Sequence, residues 1–449
     1  MKMEKPAVNL TYRIKDKPPF GQIVLAAIQQ LLAIMVATIA VPAAVGNGLT
    51  ASAALFGAGC GTMIYLLFTR SASPVFLGSS FAFIGPMLTA FGGAASMAIG
   101  YAGLIVGALI AGIVYVVIAL VVKFCGVKWI DKLMPPVVIG PTVAIIGLSL
   151  SSYAISLLMS SDIEGGEPKI GLLCGLVTLV IAMLVSTFGK RTLKLIPFMV
   201  GIIGGYLLAS MLYLVGKNTG NVSLQVIDYS AFSSVKSILS LPDFVFLRAD
   251  WNGITASYLL TLFVAYAPVA FVVFAEHLAD HKNLSSIIGV NLLEEPGLTN
   301  TLLGDGVGSF VGAFFGGCPN TTYGESIACV ALTGNASTIS IWGAAIACIL
   351  FSLITPLVAF LETIPSCVMG GVCVALYGFI ASSGFKMFQG VDLNNNRNLY
   401  TACVIFIVGV GGMTVTFGSV EIRTVACALI LGILTNLMLS KADKQQLSE

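Results

Sequence analysis

The sequence predicts an all-α polytopic membrane protein, and three observations carry that prediction. Of its 449 residues 57% are hydrophobic and only 9% charged, whereas a soluble domain carries about 25% charged residues. Apolar runs recur along the whole chain, at or above the roughly 20 residues a helix needs to cross the hydrocarbon core, and the mean hydropathy is +0.99. Most of the 22 Lys and Arg residues sort to one side once those runs are threaded across a bilayer. A β-barrel is excluded, because its strands alternate strictly over about 10 residues and these runs are continuous.

Taken in order, full-length runs fall at roughly 20–45, 51–69, 97–123, 137–158, 170–188, 195–215, 253–275, 338–361, 399–416 and 423–440. Shorter, Gly-rich pieces lie between them at 76–93, 300–317, 322–333 and 368–385. Together they predict fourteen transmembrane segments. With a cytoplasmic N-terminus, only Lys169, Lys217, Lys236, Arg248 and Arg423 fall outside, a strong positive-inside bias. Omitting one short segment would invert every later loop and spoil that bias. The polar start 1–19 runs straight into a span and reads as a cytoplasmic tail, not a cleavable signal. Residues 441–449 form a second cytoplasmic tail. The connection at about 217–251 reads as an irregular outer cap, and Asp162, Glu164 and Glu167 as a solvated outer loop. A net charge of +2 offers no basic field for nucleic acid. The ten cysteines show no CxxC pair and no Cys/His cluster at metal spacing, so they read as small buried hydrophobes.

The two halves share a feature. Pro74 opens a short extended stretch through Phe76-Leu77-Gly78-Ser79-Ser80 into a helix too short to cross alone, and Pro319-Asn320-Thr321-Thr322-Tyr323 opens another. Each is the third segment of a seven-segment half. Seven is odd, so the second half inserts upside down relative to the first, a 7+7 inverted repeat. Broken helices at matching positions of inverted halves point to a transporter's substrate site. Irregular backbone at membrane depth is tolerated only where protein or a watery cavity satisfies it, and half-helix N-termini present free N–H groups and positive dipole ends. Close packing of small residues is the plainer alternative for such glycines.

The ionisable groups sharpen this reading. Most acidic residues lie in loops, but Glu276 and Glu325 lie within spans, with Asp280 and Asp305 near the cytoplasmic ends of theirs. A charge at mid-bilayer costs about 2.5–3.5 kcal/mol on insertion scales. Asp280 lies one turn after Glu276 on the same face, and Glu325 sits at the start of the second short helix, where the dipole favours it. No lysine or arginine partner is evident within the spans. A glutamate can accept N–H donors from an amide-like ring and can carry a proton; helix capping is the competing role, most plausible for Asp305. His277 points about 100° away from Glu276 and reads as an interhelical group. His281, beside Lys282, reads as an interfacial residue.

The motifs AEHLADHKN (275–283), GDGVGSFVGAFFGG (304–317), PNTTYGES (319–326), FLGSSFAF (76–83) and QQLLAIMVATIAVP (29–42) resemble the nucleobase/ascorbate transporter family over nearly the whole chain. Within it they are most similar to the bacterial uracil permease branch. The resemblance implies proton-coupled import of a nucleobase, most closely uracil, in the cytoplasmic membrane, with the proton as coupling ion and no cofactor. It implies a core domain at 20–123 and 253–361 and a gate domain at 124–216 and 362–440, with 217–252 as external loop. It implies substrate contacts from Glu276 and Glu325, from the backbone N–H groups of Phe81 and Gly324, and from Tyr323 and Gln30 nearby. Glu276, Asp280 and Asp305 would carry the proton coupling. The chain departs from the family pattern in having Asp280 and Gln30 where histidine occurs, Ser326 where asparagine occurs, and Gly334 where arginine is common. Lipid surrounds such a protein, and a homodimer is one assembly open to it.

A purine (xanthine or urate) permease on the same scaffold is the alternative substrate reading. An ion channel lacks the repeated charge ring or carbonyl filter it would need. No metal cluster, nucleophile–base pair or phosphate loop supports an enzyme.

Overall fold

The computed structural model describes residues 9–446 apart from 127, 128, 130–132, 191, 192, 234, 418 and 419. Of the positive charges weighed above, Lys2, Lys5, Lys128, Lys132 and Arg191 lie outside the described residues, as do the ends of both tails.

Glycine and a polar cap mark where the first two helices end and begin. Helix α1 (Phe20–Val45) ends at Gly46, whose φ of 66° suits glycine, and α2 (Ala51–Phe68) starts at Thr50, whose hydroxyl accepts from the Ala53 N–H. After α2 the chain turns extended as strand β1 (Leu77–Ser79), makes a 3₁₀ turn over Phe81–Phe83 and enters the short α3 (Ile84–Gly92). Ser96 then caps the long α4 (Met97–Cys125). Next come α5 (Pro136–Leu158, its two parts meeting at Leu150), α6 (Pro168–Phe188) and α7 (Pro197–Thr219). The second half repeats this order with α8 (Ala256–Ile288), α9 (Leu298–Gly316), strand β2 (Asn320–Thr322) and the short α10 (Gly324–Thr333). Helices α11 (Thr338–Leu353), α12 (Thr355–Glu362), α13 (Ser366–Phe388) and α14 (Asn396–Val410) follow. A hairpin of β3 (Val415–Phe417) and β4 (Val420–Ile422) leads into α15 (Thr424–Gln446).

Among the described residues, eight helices are long and apolar enough to cross a membrane, and five further apolar helices are shorter. Leu109, Ile113, Val117 and Leu120 stand exposed on one stripe of α4, as do Ile203, Leu207, Met211 and Leu214 on α7. Apolar stripes of that extent face lipid, not water. This is an integral membrane protein.

The run 338–361 is not one helix. Ile354 is extended (φ −84°, ψ 98°) and separates α11 from α12, because Pro356 has no N–H to donate to the Ser352 carbonyl. The run 253–275 is longer than its hydropathy suggests: α8 continues to Ile288, since the polar residues after Ala275 find partners on neighbouring helices. Asp280 therefore lies inside a helix rather than near its end. Asp305 likewise sits in mid-α9, buried, with Oδ2 2.8 Å from His277 Nδ1, and caps nothing. His281 is not interfacial but 1% exposed, because its ring turns inward to Tyr65 and His277. The first tail is not free either: Thr11 and Tyr12 donate to the Gly334 carbonyl, and the Ser337 hydroxyl donates to Asp16 O.

Helix α9 packs on α2 and α4, and α11 on α2, with α1 against α11 and α8 against α4; α13 packs on α5 and α6, and α14 on α5 and α15. The α2–α9 crossing is a close one. A Cβ on Gly57 would come within 2.5 Å of the Gly312 carbonyl oxygen, so backbones touch where side chains would stand.

Candidate functional site

The two short strands are one antiparallel pair, Leu77 opposite Thr322, Gly78 opposite Thr321 and Ser79 opposite Asn320. The pairing extends past the strands, with Ser80 N–H donating to Pro319 O (2.9 Å) and Tyr323 N–H to Phe76 O (3.2 Å). It satisfies backbone that no helix satisfies. Asn320 anchors it by donating from its side-chain amide to the Gly57 carbonyl (3.1 Å). Because the strands run oppositely, the short helices that follow them start from opposite ends of the pair and leave it in opposite directions. Tyr323 lies over Gly78, where a Cβ would meet its ring at 2.5 Å, and its hydroxyl donates to Ser79 O (2.6 Å).

A cavity of about 690 Å³ opens beside this junction. Glu276, Asp280 and Asn283 line it from α8, Phe81 and Ala82 from the first short helix, and Thr321 to Glu325 from the second. The opposite wall comes from α13, with Phe379, Ser382, Ser383 and Lys386, and from Lys194. Asp280 Oδ2 accepts from the Thr322 hydroxyl (2.7 Å). A Cβ on Gly324 would meet nothing within 4 Å, so the backbone there faces the cavity. Phe81 packs edge-on to Tyr377 of α13, with ring centroids 5.6 Å apart. Among the described residues, no lysine or arginine forms an ion pair with Glu276, Asp280 or Glu325. Nor does any group of three His, Cys, Asp or Glu stand ready for a metal ion among them.

Glu276, Asp280, Phe81, Tyr323, Gly324 and Glu325 thus come together. Gln30 and Asp305 stand outside the cavity wall. Gln30 is 2% exposed and donates to the Ser326 carbonyl (3.3 Å) behind the second short helix. Asp305 faces the other side of α8, where His277 Nε2 also reaches the Thr301 hydroxyl (3.0 Å). Asn283 was legible in the sequence and passed over: with Glu276 and Asp280 it completes an i, i+4, i+7 stripe. The α13 wall had no such signal, since only tertiary packing brings it opposite α8.

The arrangement offers convergent acceptors, N–H donors at a helix start and an aromatic face, which suits a planar ligand bearing both N–H and C=O groups. The fold is shared with membrane transporters of known structure. The transmembrane domain of the cyanobacterial bicarbonate transporter BicA matches with a TM-score of 0.63 at 15% identity, covering 95% of this chain and 100% of that one. The murine Slc26a9 anion transporter in its inward-facing state matches with 0.66 at 12% identity, over 96% and 69%. The chain belongs to the Permease family, whose sequence model matches residues 21–418. It is 38% identical to the uracil permease of Bacillus caldolyticus over 97% of this chain and 95% of that protein. Identity to the Bacillus subtilis (strain 168) uracil permease is 38%, over 99% and 98%, and to the Escherichia coli (strain K12) uracil permease 34%, over 94% and 92%.

Proposed function

We propose that this chain imports uracil by proton symport, binding it in the cavity between α8, the two short helices and α13. The observation that carries the reading is the convergence of Glu276, Asp280 and Glu325 on that cavity in a chain so similar, end to end, to uracil permeases. Glu276 and Glu325 accept the ring N–H groups, the Phe81 and Gly324 N–H groups donate to ring carbonyls, and Tyr323 holds the strand pair behind them. Asp280, with Asp305 behind the helix, serves the proton.

The fourteen helical segments form two inverted halves. Segments 20–123 and 253–361 make a core that carries the site, and 124–216 and 362–440 a gate that moves against it. Both termini face the cytoplasm. Lys194 and Lys386, which line the cavity, then lie on the cytoplasmic side by the positive-inside rule. Uptake of radiolabelled uracil into proteoliposomes, competed by unlabelled uracil, xanthine, thymine and cytosine, tests the reading. Saturable uptake displaced by uracil and not by xanthine is expected; displacement by xanthine alone would assign a purine instead.

A further inference from the structure

Two histidines on the far side of α8 serve no role in the cavity, and one closes a circuit of hydrogen bonds. His281 Nε2 lies 2.7 Å from the Tyr65 hydroxyl of α2 and 3.4 Å from Ser73 Oγ, and the Tyr65 hydroxyl donates to Ser73 Oγ (2.8 Å); all three residues are buried. His281 Nδ1 is 2.8 Å from the His277 carbonyl oxygen, which only accepts, so Nδ1 carries the hydrogen. In the neutral ring Nε2 is then an acceptor for a hydroxyl hydrogen. One turn before Tyr65, Thr62 holds strand β1: the Leu77 N–H donates to its hydroxyl (2.9 Å), and the hydroxyl reaches Leu77 O (3.2 Å). Leu77 stands opposite Thr322, and Thr322 donates to Asp280, the residue next to His281. The circuit runs from α8 to β2, to β1, to α2 and back to α8.

We propose that His281, through Tyr65, is a positioning residue that fixes the Asp280 carboxylate against the strand pair. Neighbours in sequence and about 100° apart around the helix, the two side chains clamp one turn of α8 from two different faces. A carboxylate that must hold a proton in one state and release it in another needs its donor at a fixed distance, because charge-assisted hydrogen bonds weaken steeply with misplacement. The titratable groups around the clamp are His277 and Glu276 on α8, Asp305 on α9, Tyr115 on α4 and Glu325 on α10, with Lys194 and Lys386 across the cavity. Among the described residues none of them bonds to His281 except His277, whose ring also stacks on it at 4.0 Å. The connection from His281 to Tyr65 is therefore separable from the others by mutation. The inference rests on the reading of Asp280 as a proton-coupling residue.

The test measures the pH profile of uracil uptake, together with the melting temperature, for wild type, Tyr65→Phe, His281→Leu, His281→Gln and the Tyr65→Phe/His281→Leu double variant. Glutamine places its amide oxygen near where Nε2 stands and keeps an acceptor for the Tyr65–Ser73 hydroxyl pair. Tyr65→Phe and His281→Leu should each shift the profile midpoint by about one unit and slow uptake about tenfold; the double variant should be no worse than the poorer single, as partners in one interaction behave. His281→Gln should recover most of the wild-type profile. A lowered melting temperature with an unmoved profile, or multiplicative losses in the double variant, would overturn the positioning role. A wild type that takes up no uracil would overturn the transport reading and this inference with it. A wild type that does, beside variants with its profile, would overturn this inference alone.

Discussion

Thr322 and Asp280 are joined by a hydrogen bond of 2.7 Å, hydroxyl to carboxylate, between the second short strand and the long helix α8. It ties the Asp280 carboxylate of α8 to the same strand whose end leads to Glu325 at the cavity. The site is thus one mechanical unit, and substitutions within it should read out separately in binding, coupling and stability.

Glu276→Gln should abolish coupled uracil uptake while leaving membrane insertion intact. The amide keeps the size of the side chain but replaces an acceptor oxygen with a donor and takes up no proton. A loss of at least about tenfold in affinity is expected for a hydrogen bond to a charged group. Titration calorimetry on the purified variant checks it; wild-type binding and accumulation would remove Glu276 from the site.

Glu325→Gln tests the other edge of the ring. It sits in the first turn of α10, where a carboxylate is favoured by the helix start. Uracil uptake should be lost, because the amide replaces an acceptor oxygen with a donor at the ring edge. The competition panel, run on the variant, decides it. Unchanged uracil selectivity would leave Glu325 a helix-start residue.

Uptake should rise as external pH falls and collapse on adding a protonophore. Glu276, Asp280 and Glu325 line a cavity at membrane depth without a basic ion-pair partner among the described residues. A carboxylate there sheds the cost of a buried charge by carrying a proton with its substrate. Proteoliposomes with imposed proton or sodium gradients at controlled membrane potential measure this directly. Accumulation driven by sodium alone would exclude proton coupling and leave the nucleobase site standing.

Gly78→Val should destabilise the strand pair. Its first carbon would meet the Tyr323 ring at 2.5 Å and the Thr38 hydroxyl at 2.9 Å, so Tyr323 must leave its bond to Ser79. Overpacking of this kind costs about 1–3 kcal/mol. A lower melting temperature in detergent, with weakened uracil binding, is the expected result; an unchanged melting curve would show that Tyr323 moves freely.

The amino-acid sequence by itself determined the membrane class, the order of helices and the two short extended segments at Pro74 and Pro319. These are local properties: hydropathy, proline and glycine act over a few residues and need no partner. It also brought Glu276, Asp280 and Glu325 to notice, because a charge in an apolar run is conspicuous wherever the run packs. Only the tertiary structure decided that the two extended segments pair with each other, that α8 runs on to Ile288, and that His281 turns inward to Tyr65 rather than outward beside Lys282. Polar residues carry no sign in the sequence of whether water or a distant side chain satisfies them. For His281 the partner is a tyrosine on another helix, supplied when α2 and α8 pack together, and burial of that bond is what the one-dimensional pattern could not express.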